Sequence, residues 1–267
     1  FAHELQHSRI MFSRKTISKL QAWKQHEQHK PRILRDARQV GKTTVVNQFG
    51  TEFDNYLYFN LEISQNARLL EMDIPLDQLV QLMFAQSGIS PKVGSTLIFI
   101  DEIQNSPKAI TRLRYFYEQR PDLYIIAAGS LLENLVDVKV SFPVGRVQYL
   151  AMHPCSFCEF LHALGKNNLL DVIAQNYDYS SAFHNELMHL FNQYAIVGGM
   201  PEAVQKYAQS GDVLALDNIY ETLIQSYKDD SEKYVKGGML TQVVRFVLSY
   251  GWAFAGKTIT LGNFANS

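Results

Sequence analysis

The stretch that decides the fold is "PRILRDARQVGKTTVVNQFG", residues 31–50. The segment RILR predicts a short strand that runs into a loop closed by the letters GKT at 41–43, and residues 43–49 predict the helix that follows. Strand, loop and helix in this order are the context of the phosphate-binding motif G-x-x-x-x-G-K-[ST]. The end of the motif is present, whereas Asp36 stands where the motif has its first glycine.

Such a loop binds phosphate because successive backbone N–H groups surround the anion at the start of a helix. We expect Gly41 to let the backbone approach the phosphates, Lys42 to reach the β- and γ-phosphates, and Thr43 to ligate Mg²⁺ through its hydroxyl. The predicted nucleotide-binding residues of the loop are Asp36, Ala37, Arg38, Gln39, Val40, Gly41, Lys42, Thr43 and Thr44. The alternative is a chance GKT in a turn.

A second motif argues against chance. The run "TLIFID" at 96–101 is continuously apolar and ends in a carboxylate, which is typical of a strand buried on both faces of a parallel sheet. We expect Asp101 to bind the metal, directly or through water, and Glu102 to polarise the attacking water as general base. An Asp-Glu pair that ends a strand is by itself more often solvated, but the upstream GKT reverses that preference.

Alternating strands and helices over residues 31–150 predict a doubly wound α/β core with a parallel sheet. The predicted strands are 32–35, 55–62, 96–101 and 123–130, and the predicted helices are 14–29, 43–49, 76–86 and 108–119. The last of these strands ends at Ser130, a small polar residue expected to sense the γ-phosphate; the alternative is a plain strand-to-helix turn.

Beyond residue 150 the apolar pattern is helical. This pattern predicts a lid-like helical region in 151–210. It follows the α/β core, expected in 31–150, and an N-terminal helix, expected in 1–30. Residues 211–267 are expected to begin a further domain that the chain only starts, and Phe1 suggests that the chain begins inside a longer reading frame.

Composition narrows the class of protein. Of the 267 residues 46% are hydrophobic and 19% are charged, which excludes a disordered or fibrous chain. The formal net charge of −1 gives no overall attraction to nucleic acid or to anionic lipid. Two cysteines cannot form a disulfide framework, and the sequence has no signal peptide or long apolar run. We expect a soluble, cytoplasmic protein without a membrane partner.

Six motifs carry a family resemblance. In chain order they are "RQVGKTT", "LIFIDEIQ", "AAGSLL", "SFPVGRV", "HPCSFCEFL" and "GGMPEAV". Together they resemble a large group of prokaryotic AAA-type ATPases with a C-terminal domain of unknown function, over about residues 14–267. The resemblance implies an AAA-like P-loop NTPase core followed by a helical region, with ATP and Mg²⁺ as ligands. It also implies that this chain holds only the first helices of a truncated C-terminal domain.

The resemblance gives Arg146, in "SFPVGRV", a role as sensor or finger on the γ-phosphate. The alternative is a surface arginine in a loop that enters a strand. The resemblance also allows an oligomer and a DNA or protein partner for the C-terminal region.

Asp36 is expected to weaken nucleotide binding. Asp in a position suited to glycine costs about 1 kcal/mol of backbone strain. A carboxylate about 8 Å from a phosphate charge, at an effective dielectric constant of about 20, adds about 2 kcal/mol of repulsion. The sum is about a hundredfold in affinity, so binding is weakened without being abolished.

Two hypotheses follow from these motifs. The first is a Mg²⁺-dependent ATPase whose hydrolysis drives a conformational change. The alternative, favoured by Asp36 and the apparent truncation, is a nucleotide-gated DNA- or protein-binding module with little or no turnover.

A zinc site in "HPCSFCEFLH" at 153–162 is set aside because its two cysteines occupy apolar-type positions.

Overall fold

The computed structural model describes residues 14–35, 39–129, 143, 145–174, 183–234, 238–254 and 258. The strands are β1 Arg32–Arg35, β2 Asn55–Asn60, β3 Thr96–Asp101, β4 Leu123–Ala128 and β5 Gln148–Ala151. The first helices are α1 Lys15–Lys24, α2 Lys42–Gly50, α3 Ser64–Glu71, α4 Leu76–Ser87, α5 Pro107–Gln119 and α6 Phe157–Ala163. The later helices are α7 Asn167–Ala174, α8 His184–Val197, α9 Pro201–Ser210, α10 Asp217–Tyr234 and α11 Gly238–Tyr250. Short 3₁₀ helices are Ile103–Asn105, Leu214–Leu216 and Gly251–Phe254.

Within the described residues, one parallel sheet forms the centre of the first compact unit, Phe1–Val204. Its strand order is β2-β3-β4-β1-β5, and every neighbouring pair is parallel. Helices α1 and α2 bury one face of the sheet, whereas α3, α4 and α5 bury the other. The predicted α/β fold class with a parallel sheet is confirmed.

Burial explains which elements could be predicted. All six residues of β3 are buried because helices cover both of its faces, and this strand matches the predicted 96–101. Strand β5 was not predicted, since it forms a sheet edge and only Leu150 of its four residues is buried. Helix α3 was not predicted either. Helix α1 ends at Lys24, earlier than the predicted 14–29, and the chain turns before β1.

Parallel pairing places the carboxyl ends of the strands at one edge of the sheet. The loop that follows β1, Asp101 at the end of β3 and Gly129 after β4 therefore share this edge. Ligands of open α/β sheets bind at such an edge, outside the carboxyl ends of the strands.

The helices that follow β5 form smaller clusters. In the first unit, α6, α7 and α8 pack around Leu161, Leu169 and Leu190. Helix α6 starts with a capping box, in which Ser156 and Glu159 satisfy each other's backbone N–H groups. In the second unit, Gln205–Ser267, α10 packs against α11. Among the described helices, none is both long enough and apolar enough to cross a lipid bilayer.

His29 belongs to an aromatic cluster beside the sheet. Its ring stacks on Tyr124 at 3.8 Å with the planes 7° apart, and Trp23 meets it edge-on at 5.8 Å. Nε2 lies 3.3 Å from the Leu123 carbonyl oxygen, and Nδ1 is buried without a hydrogen-bond partner among the described atoms. Burial lowers the pKa of His29 below its ordinary value of 6.5, although hydrogen bonding and Asp122 oppose this. The fold therefore favours the neutral ring.

We predict that His29 makes the fold acid-sensitive. As pH falls through 6.5 the unfolded chain binds a proton on His29 before the folded chain does, so the free energy of unfolding decreases. His29→Phe keeps the stacked ring and removes this titration. Urea denaturation at pH 7.5 and 5.5 should show that wild type loses on the order of 0.5 kcal/mol more than the variant, because the partly exposed ring of His29 is only partly desolvated. Equal losses in both proteins would contradict the prediction.

Candidate nucleotide site

The loop between β1 and α2 presents the start of a helix to the carboxyl edge of the sheet. Gly41 is the N-cap residue with a φ of 85°, a left-handed conformation that glycine adopts at little cost, and α2 begins at Lys42. The N–H groups of a first helical turn have no acceptor within the helix, and the helix dipole adds partial positive charge there. This geometry suits an anion such as phosphate.

A hydrogen bond joins the start of α2 to the end of β3. Thr43 Oγ1 donates to Asp101 Oδ2 at 2.7 Å, and the Asp101 residue is only 4% exposed. The two side chains come from the phosphate-type loop and from the strand-ending carboxylate, which the sequence predicted separately. A hydroxyl and a carboxylate oxygen are ligands that Mg²⁺ prefers, so this pair fits a magnesium ion that accompanies a nucleotide.

Tyr58 on β2 is a second donor to the same carboxylate. Its hydroxyl donates to Asp101 Oδ2 at 3.3 Å, and its ring stacks on Phe99 at 5.3 Å. Burial, followed by the negative charge of Asp101, raises the pKa of Tyr58 to about 12, so Tyr58 keeps its proton at neutral pH. Sequence reasoning missed Tyr58, since its contact depends on β2 lying beside β3, an order that the sequence does not state.

Glu102 occupies a sharp turn directly after β3. Its backbone is left-handed, with φ 52° and ψ 45°, which is uncommon for a residue with a side chain. Its N–H donates to Asp101 Oδ1 at 3.1 Å, and the Gln104 amide donates to Glu102 Oε2. Gln104 Oε1 is buried and lacks a hydrogen-bond partner within the described part of the chain. The Gln104 amide thus orients the Glu102 carboxylate from within the same turn, while the Glu102 N–H contacts the Asp101 carboxylate.

The other predicted loop residues differ in exposure. Val40 is buried, Gln39 is exposed with a φ of 63°, and Lys42 is half-buried at the first position of α2. Thr44 is exposed. Four predicted site residues lie outside the described residues: Asp36, Ala37, Arg38 and Ser130.

Arg146 lies near the amino ends of the strands, whereas Thr43 and Asp101 lie at their carboxyl ends. It precedes β5, whose first residue pairs with the first residue of β1, and its Nε is 3.2 Å from Glu118 Oε1. Arg114 Nε approaches the same oxygen at 3.0 Å. Strand β1 alone spans roughly 13 Å at about 3.3 Å per residue. The fold therefore does not bring Arg146 together with Thr43 and Asp101 of its own chain.

Arg14 reaches the loop from the segment before α1, and sequence reasoning missed it. Its Nη1 donates to the Val40 carbonyl at 3.0 Å, and Arg14 is 5% exposed. The sequence did contain a signal for its burial. Arg14 precedes Ile17 and Leu20 at three-residue spacing, which places it on the buried face of α1. A charged residue on a buried face needs a specific partner.

The motifs "HPCSFCEFL" and "GGMPEAV" contact each other close to the loop that precedes α2. The Cys155 N–H donates to the Gly199 carbonyl at 2.6 Å, and a Cβ at Gly199 would lie 2.5 Å from the Cys155 carbonyl oxygen. Pro201 and Met152 lie within 4 Å of where a Gly41 Cβ would stand.

Burial raises the pKa of Cys155 to about 12. Among the described residues, no group of three His, Cys, Asp or Glu side chains converges as metal ligands would.

The sheet order, the glycine-capped helix start and the strand-ending carboxylate together define a P-loop nucleotide-binding domain. The family model described as an AAA domain matches residues 28–161, half of the chain. The chain therefore belongs to this family, and its membership supports a nucleotide-binding function of the ATPase type.

Solved structures also resemble the chain. PCH-2 of Caenorhabditis elegans is 15% identical, with a TM-score of 0.44 over 81% of this chain and 71% of that chain. The ORC1 protein of Aeropyrum pernix, solved in complex with DNA, is 11% identical, with a TM-score of 0.39 over 94% of this chain and 79% of that chain. No curated protein matches the chain.

The contact between Thr43 and Asp101 predicts a measurable loss of stability. Thr43→Val removes the hydroxyl and leaves a buried carboxylate with one donor fewer, which should lower the free energy of unfolding by about 1 kcal/mol. Thr43→Ser keeps the hydroxyl and should lose clearly less. Urea denaturation of both variants tests this, and a Val variant as stable as the Ser variant would contradict it.

Proposed function

We propose that the chain binds ATP together with Mg²⁺ and hydrolyses it. The observation that carries the proposal is the 2.7 Å hydrogen bond from Thr43 to Asp101, which joins a helix start suited to an anion to a carboxylate suited to a metal. Membership of the AAA domain family supports the nucleotide as ligand. We also propose that the chain belongs to the prokaryotic group with a C-terminal domain of unknown function, on the six motifs quoted above.

Each residue has a distinct task in this proposal. Lys42 contacts the β- and γ-phosphates, and the loop N–H groups fix the phosphate oxygens. Thr43 and Asp101 would hold the metal ion, which would supply positive charge to the phosphates. Glu102 accepts a proton from the attacking water, and the Gln104 amide orients its carboxylate. Ser130 senses the γ-phosphate.

Asp36 sets the expected strength of binding. A negative charge in the loop repels phosphate, so the proposed site holds ATP about a hundredfold less tightly than a glycine-containing loop. If a glycine-containing loop binds ATP at about 1 µM, a hundredfold loss gives a dissociation constant on the order of 100 µM, which ATP at roughly millimolar concentration still occupies. The proposal is therefore a weakened nucleotide site.

We predict that Glu102→Gln abolishes turnover and preserves binding. Removal of the general base should slow phosphate release by at least about a hundredfold, while ATP affinity stays within a few fold. Glu62→Gln is the matched control, because it neutralises an exposed carboxylate that follows the neighbouring strand β2 at the same edge. Phosphate release and equilibrium binding measure the two effects. A Glu102→Gln variant that hydrolyses ATP as fast as wild type would refute the base assignment.

We further propose that Arg146 acts on the γ-phosphate held by a second copy of the chain. Its side chain is 46% exposed and lies beyond reach of Thr43 in its own chain, so a role at its own site has no geometric support. An arginine supplied by a neighbour stabilises the charge that develops in the transition state of phosphoryl transfer. The proposal implies an oligomer in which each active site lies between two subunits.

Mixing two inactive variants tests this arrangement. Arg146→Ala keeps an intact loop and lacks the arginine, whereas Lys42→Ala lacks the loop lysine and keeps the arginine. We predict that each alone hydrolyses ATP slowly and that the mixture regains a measurable fraction of activity. Arg114→Ala is the control, since Arg114 contacts the same Glu118 oxygen and should leave hydrolysis near wild type. A mixture no more active than its parts would contradict the proposal.

The second candidate function is a nucleotide-gated module that presents its C-terminal region to DNA or to a protein with little turnover. Asp36 favours it, because a weakened loop suits a slow switch better than a fast enzyme. The pair Asp101 and Glu102 argues against it. ATP binding by wild type without phosphate release, with and without DNA, would favour the module over the ATPase.

A further inference from the structure

One buried side chain links three distant segments of the first unit. Arg14 Nη1 donates to the Val40 carbonyl at 3.0 Å, Nη2 donates to the His153 carbonyl at 2.7 Å, and Nε donates to Glu159 Oε1 at 2.9 Å. These partners lie in the phosphate-type loop, in the segment after β5 and in α6. A planar guanidinium carries its donors on three separate nitrogens in a rigid fork, so it reaches three partners that an ammonium, with all its donors on one nitrogen, cannot reach together in the same geometry.

The carboxylate partner is held as firmly as the arginine. Glu159 Oε1 also accepts from the Lys15 N–H at 2.9 Å, and Oε2 accepts from the Ser156 N–H at 2.8 Å. Burial alone would raise the pKa of Glu159, but these backbone hydrogen bonds and the charge of Arg14 outweigh it and lower the pKa. A buried ion pair is often no more stabilising than well-packed apolar residues, but removal of one partner leaves an uncompensated buried charge and is destabilising.

The contact with Val40 has a consequence for the next peptide N–H group. In a planar trans peptide the C=O of one residue and the N–H of the next point in opposite directions. The Val40 carbonyl is directed at Arg14, so the Gly41 N–H points away from Arg14. Gly41 is the N-cap of α2, where N–H groups that bind phosphate converge. Arg14 thus sets the orientation of one of the loop donors.

We propose that Arg14 is a positioning residue for the phosphate loop. This inference rests on the proposed nucleotide site and identifies a residue outside the motif on which that site depends. Arg14 holds the carbonyl end of the peptide whose N–H end, at Gly41, is proposed to bind phosphate.

Two variants separate positioning from stability. Arg14→Lys keeps the charge beside Glu159 but cannot also hold both carbonyls, and it should weaken MgATP binding by about tenfold. Glu159→Gln removes the ion pair but leaves Arg14 on Val40 and His153, and it should keep MgATP affinity within about twofold while lowering the melting temperature. A purely structural role would make affinity follow melting temperature in both variants.

A nucleotide-free measurement keeps the test independent of the proposed function. Amide hydrogen exchange of the peptide spanning 39–44, measured without ATP, should be faster in Arg14→Lys than in wild type and unchanged in Glu159→Gln. If wild type binds no MgATP, the proposed function fails, and exchange still tests the positioning role. Unchanged exchange and unchanged MgATP affinity in Arg14→Lys would overturn the proposal.

Discussion

The hydrogen bond between Thr43 and Asp101 depends on how the parallel sheet is ordered. Strands β1 and β3 are not neighbours, since β4 lies between them, yet their carboxyl ends open on the same edge. Helix α2 leaves the loop after β1 and packs on the sheet face that carries Asp101, so its second residue reaches the carboxylate. A change of strand order would separate the two motifs, although each would remain intact in sequence.

The loop is supported from outside the motif as well as from within it. Arg14 holds the Val40 carbonyl from the segment before α1, while Pro201 and Met152 lie close to Gly41. Tyr58 and Thr43 both donate to Asp101 Oδ2. Hydrogen bonds to a buried carboxylate or carbonyl fix geometry as well as stabilise it, and a phosphate site needs its donors already oriented before the ligand arrives.

Local patterns predicted the parts of this structure that depend on local rules. The buried run that forms β3 and the GKT sequence before α2 were predicted because apolar periodicity and loop chemistry act over a few residues. Arg14 was missed because its partner Val40 lies 26 residues away and the spacing shows only that Arg14 shares a buried face, not which group it contacts. Tyr58 was missed because Asp101 lies 43 residues away, on a strand whose neighbours the sequence does not state. The position of Arg146 depends on the edge strand β5, which directly follows it. This strand was not predicted because only one of its four residues is buried, so its sequence shows no apolar alternation.

The proposed function requires that MgATP binds at the loop that precedes α2. Calorimetric titration of MgATP into the chain tests it most directly, with Lys42→Ala as the site variant and Lys19→Ala, on α1, as the control. The expected result is one site per chain with a dissociation constant on the order of 100 µM in wild type and in the control, and no detectable binding in Lys42→Ala. Absence of binding in wild type, or equal binding in Lys42→Ala, would contradict the claim.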